Sequence, residues 1–129
     1  MCALINPSAE QVPPVPSPML EVANVMVRLY KDAFGRGPTK ARARFAGSDT
    51  LVVLLEDIMT VAERQLVTLG EHARVREQRL FLQLALEDQK RSEVERILRR
   101  RALASVSGTD PGRDLAAEIF VLEPDPLDE

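Results

Sequence analysis

The chain has 129 residues, 45% hydrophobic and 29% charged, the balance of a single soluble globular domain. A formal net charge of −3 argues against nucleic-acid binding by bulk charge, and a single cysteine, Cys2, excludes a disulfide within the chain and fits a reducing compartment. Aromatic residues are 4% of the chain and tryptophan is absent, so the core has to be mainly aliphatic.

Residues 1–17 read as a flexible lead-in, because VPPVPSP places four prolines in seven residues and forbids a regular helix. The N-terminal stretch has no basic region followed by a long apolar run, so no signal peptide is expected. Ser17 followed by Pro18 is a helix start, a cap with proline at the first helical position. Leu20, Ala23, Val27, Tyr30 and Phe34 share one helical face, and Gly35 is a natural stop. A helix over 18–34 follows.

Next comes FGRGPTKARARF, with two glycines, a proline and four cations. It resembles a phosphate loop in composition only. A Walker loop follows a strand and opens a helix, whereas here a helix ends and a strand begins. The helix end facing the loop carries the negative end of the dipole, and Pro38 lacks an N–H donor. The segment reads instead as a structural loop built on Gly35, Gly37 and Pro38, leading into a hairpin of strands over about 41–46 and 50–56. Lys40, Arg42 and Arg44 alternate, so in a strand all three stand on one face, and Arg36 is placed to join them from the loop. These four form the candidate site for a protein partner or an anion. Leu51–Leu55 is continuously apolar, the mark of a central strand buried on both faces. It is also the longest apolar run, far short of a membrane span.

Thr60–Glu63 is a capping box that opens another helix, and Gly70 ends or bends it. From about 72 to 101 there is neither glycine nor proline. The wholly polar EDQKRSE at 87–93 marks a bend or an exposed stretch, and Ser92 with Glu95 could restart the helix as a second capping box. Arg96, Arg99, Arg100 and Arg101 are placed to favour the dipole at its C-terminus. Residues 102–107 return to an extended pattern, GTDPGRD at 108–114 is a turn, and Leu115–Leu122 is a second apolar strand. An acidic tail closes the chain at 125–129.

The predicted order is α-β-β-α-α-β-β over a single domain at 18–124. Hairpins favour antiparallel pairing, so the expected fold is an α+β two-layer sandwich with helices on one face of a four-stranded sheet. The apolar Leu51–Leu55 leaves the other face in need of cover, which points to a homodimer. No catalytic constellation is present: His72 is the only histidine and no nucleophile signature surrounds Ser48, Ser92 or Ser105. With one histidine and one distal cysteine there is no zinc ligand set. Neither enzymatic activity nor a cofactor or metal is expected.

Gly35–Lys40 with Ala41 and Arg42, Thr60 with Glu63, and Glu118–Pro124 carry a resemblance to the MpsC family over about residues 18–124. The resemblance implies a component without membrane insertion of its own, associated with a bacterial sodium-translocating, membrane-potential-generating system. The expected role is a non-enzymatic accessory or interaction subunit, cytoplasmic and peripheral to the inner face of the membrane. Its expected partners are a membrane complex or a regulatory protein, not nucleic acid. The alternative is a regulator that binds a small anion or nucleotide on the basic face at 36–44.

Overall fold

The computed structural model describes residues 17–125; the proline-rich lead-in, Cys2 and most of the acidic tail lie outside them. Helix α1 spans Pro18–Phe34, and strands β1 and β2 span Lys40–Phe45 and Thr50–Glu56. Helices α2, α3 and α4 follow at Val61–Thr68, His72–Ala85 and Glu87–Leu98, then strands β3 at Ala102–Asp110 and β4 at Leu115–Leu122. The four strands form one antiparallel sheet in the order β1-β2-β4-β3. The central pair, β2 with β4, thus joins the two hairpins.

The expected caps are present. Ser17 Oγ accepts from the Leu20 amide at 3.1 Å, and Gly35 ends α1 at a φ of 79° with its amide on the Lys31 carbonyl. At α2 the Thr60 amide donates to Glu63 Oε1 at 2.9 Å while the Glu63 amide donates to Thr60 Oγ1 at 3.2 Å, a reciprocal box.

Two features depart from the expectation. The stretch at 72–101 is two helices, and the break falls at Leu86 and not at Ser92, which sits inside α4 without a capping bond. Strand β3 also runs on through Gly108 and Thr109 to Asp110, because Leu115, Ala116 and Ala117 of β4 need ladder partners. The DPG turn begins only there: the Gly112 amide donates to Asp110 Oδ1 at 3.1 Å, and the Arg113 amide to the Asp110 carbonyl at 3.2 Å.

Period-2 alternation decides which face of the sheet meets the helices. Leu51, Val53 and Leu55 of β2 and Ala116, Phe120 and Leu122 of β4 are buried on one face. They pack under Val22, Met26 and Tyr30 of α1, Val75 of α3 and Val94 of α4. The core is aliphatic apart from Tyr30 and Phe120.

Candidate interaction surface

Seen from the opposite face, the register lays out a second set of side chains in rows. Lys40, Glu56, Leu115 and Asp110 form one row across the sheet. Arg42, Leu54, Ala117 and Gly108 form the next, and Arg44, Val52, Ile119 and Val106 the third. No helix of the described residues covers this face. Val106 is 60% exposed, while Val52, Leu54, Ala117 and Ile119 are shielded only by their neighbours. The result is an apolar patch bordered along β1 by a column of cations. Arg42, Arg44, Val52 and Leu54 line a shallow depression on it.

Lys40, Arg42 and Arg44 therefore share a face, as their alternation implies. All three are exposed, whereas Ala43 between them is buried against the core. Arg36 does not join them. Its guanidinium pairs with Asp57 at 2.9 Å and donates to the backbone carbonyls of Asp57, at 2.6 Å, and Met59, at 3.1 Å. It is a clamp at the end of the hairpin. Gly37 and Pro38 serve the same corner: a Cβ on Gly37 would stand 3.1 Å from Lys31 Cβ and 3.3 Å from the Val27 carbonyl oxygen, and Pro38 is buried.

The cation column is not purely basic. Arg42 approaches Glu56 at 3.5 Å, and the hollow at the corner is lined by Thr39, Lys40, Arg42 and Glu56 together. A carboxylate there repels a small anion but is accommodated by a macromolecular surface of mixed charge.

The corner beside Arg36 is a knot of ions. Asp57 and Asp114 both adopt positive φ, 59° and 54°, a region that aspartate tolerates better than most residues. Asp114 Oδ1 accepts from the amides of Ile58, at 2.7 Å, and Met59, at 2.9 Å. Arg64 bridges the two carboxylates. The Arg36 guanidinium, then the Thr39 hydroxyl, hold the Asp57 carboxyl below the usual carboxylate range.

Beneath the helices lies a polar cluster the sequence reading missed. Glu118 of β4 is fully buried; Tyr30 donates to its Oε2 at 2.6 Å and Lys90 of α4 to its Oε1 at 2.7 Å. Ser107 also donates to Oε1, and Gln83 of α3 donates to the Tyr30 hydroxyl at 2.7 Å. A second buried pair sits nearby: Arg79 donates through Nε to Glu63 Oε2 at 2.7 Å and through Nη2 to the Ile58 carbonyl at 2.8 Å. Its guanidinium lies 3.8 Å from the centre of the Phe34 ring. Burial, and then the adjacent Glu118 carboxylate, push the Tyr30 hydroxyl well above its ordinary range. Burial opposes ionisation of Glu63, yet the Arg79 and Thr60 hydrogen bonds outweigh it and hold the carboxyl low.

The signals for this cluster were there. Glu118 occupies a core-facing position between Ala116 and Phe120, and Val75, Arg79 and Gln83 recur every four residues along α3. Among the described residues no group of three or more His, Cys, Asp or Glu is placed to hold a metal ion, and no helix is long and apolar enough to cross a membrane.

Fold and surface together define a two-layer α+β protein with one bare sheet face bordered by cations. A family profile described as "Na+-translocating membrane potential-generating system (MpsC)" matches residues 19–124, and the chain belongs to that MpsC family. Neither the curated proteins nor the solved structures contain a match.

Proposed function

We propose that this chain is a non-enzymatic accessory subunit of a sodium-translocating, membrane-potential-generating system, and that it acts through protein contacts at its bare sheet face. The observation that carries the reading is the apolar patch of Val52, Leu54, Ile119 and Val106 beside the column of Lys40, Arg42 and Arg44, in a chain of the MpsC family. An exposed apolar patch with a polar rim is the ordinary form of an interaction site. The location that fits this role is the cytoplasmic side of the membrane, as a peripheral homodimeric component. Co-purification from native membranes tests it: the wild-type chain is expected to retain specific membrane proteins, and reversing Arg42 and Arg44 to Glu is expected to release them. Unchanged retention would refute the role of this face.

The second reading, a regulator that binds a small anion, draws on the hollow beside Lys40 and Arg42. Glu56 in the same hollow weighs against it. Titration with phosphate, bicarbonate and nucleotides while the melting temperature is followed tests it, since any ligand of the folded state raises Tm with its concentration.

A further inference from the structure

The bare face has a charge pattern that fits itself. Its three complete rows span three strand spacings, about 14 Å, and two alternate-residue steps, also about 14 Å, so the patterned block is square. The cations stand along one side, on β1. The acids Glu56 and Asp110 stand along the adjacent side, in the row that begins at Lys40.

We infer that the occupant of this face is a second copy of the chain, laid face to face about a twofold axis along the diagonal from Lys40 to Val106. This rests on the reading of the face as an interface and names its occupant; the membrane proteins are then retained by the dimer, so the reversal of Arg42 and Arg44 releases them by separating the copies. The diagonal operation exchanges the two charged sides of the square. Arg42 of each copy then lies over Glu56 of the other, and Arg44 over Asp110. Leu54 covers its counterpart, Ala117 and Ile119 lie beside theirs, Val52 of each copy lies over Gly108 of the other, and Val106 meets Val106 at the corner. The strands of the two sheets cross near a right angle, one of the two arrangements that packed sheets adopt. A twofold interface must be self-complementary, and these rows meet that demand in charge as well as in apolar character. The face covers roughly 400 Å² per copy, so the pair buries roughly 800 Å², below the range of stable specific interfaces and in that of weak, transient ones. The dimer therefore dissociates on dilution, and salt weakens it through the four rim pairs.

Sedimentation of the full chain across a concentration series tests the inference. The wild-type chain is expected to pass from monomer to dimer, and the Arg42→Glu, Arg44→Glu chain to need at least tenfold higher concentration. Adding Glu56→Lys and Asp110→Lys to that chain restores opposite charges across the axis and is expected to restore the dimer. Circular dichroism identifies any variant that has lost its fold. A monomeric wild-type chain overturns the inference. So does a doubly reversed chain that dimerises normally, or a folded fourfold variant that stays monomeric. The membrane experiment reads a different quantity: a chain that dimerises but retains no membrane protein removes the accessory role and leaves the dimer standing.

Discussion

Lys90 of α4 donates to Glu118 of β4 at 2.7 Å, with both side chains withdrawn from solvent. Two opposite charges have been buried together, and the pair holds the helical layer to the sheet through one specific contact. Desolvation and attraction nearly cancel in such a pair, so its presence adds little net stability. Its disruption is another matter. Lys90→Met strands a carboxylate in the interior and is expected to cost about 3–5 kcal/mol. Replacing both partners, Lys90→Met with Glu118→Leu, is expected to cost clearly less than the sum of the single changes. Denaturant unfolding of the four chains reads the coupling directly, and simple additivity would count against the pair.

Tyr30 is the only tyrosine, and tryptophan is absent, so tyrosinate absorbance reports on one site. Its hydroxyl is buried beside Glu118 and its folded pKa is raised. A raised acid pKa means that the folded chain keeps a proton the unfolded chain loses. That stability is fully present below the unfolded value of about 10 and falls as pH rises beyond it, by about 1.4 kcal/mol per pH unit. Tyrosinate absorbance is expected to appear only together with unfolding. A smooth titration near pH 10 in a chain that stays folded would show Tyr30 to be exposed.

Acid acts at other groups. Glu63 and Asp57 both have lowered folded pKa values, so their contribution is present above the ordinary carboxylate range near pH 4 and is lost as pH falls below it. Arg79→Met removes the cation beside Glu63. It is expected to shift the acid unfolding midpoint of the chain upward and to lower stability at neutral pH, again by about 3–5 kcal/mol. A pH series of thermal melts gives both values.

At the C-cap of α4, Arg99 adopts a φ of 57°, and its side chain is exposed. A side chain there strains the backbone, and glycine does not. Arg99→Gly is expected to raise stability by up to about 1 kcal/mol, measured by thermal unfolding. Arg100, its neighbour in the same basic cluster, serves differently: it donates to the Ser48 carbonyl at 2.8 Å and the Glu123 carbonyl at 3.0 Å. Arg100→Ala is expected to destabilise.

The local structure was legible because local chemistry dictates it. Ser17–Pro18 and Thr60–Glu63 make their caps whatever lies around them, and the alternation of Lys40, Arg42 and Arg44 needs only an extended backbone. Arg36 was harder to place. It lies next to the other cations in sequence, but its partner Asp57 lies across the hairpin. Lys90 was hidden for a related reason. EDQKRSE looks like solvent-facing helix until it is known that Glu118 waits on the strand beneath. Glu118, between core-facing Ala116 and Phe120, marks a buried acid in its own strand, but nothing in the segment around Lys90 marks that lysine as its partner. The pair exists only in the fold that brings them together.

The middle of the sheet has a kinetic consequence. The β1–β2 and β4–β3 hairpins each close over short turns, which is a fast, local event. The seam between them, Val53 beside Glu118 and Leu51 beside Phe120, joins opposite halves of the chain across three helices. Closing it brings distant segments together before the contacts repay the lost chain entropy. The central pairing is therefore the one expected to form last, and φ-values near zero for Val53 and Phe120 would check it.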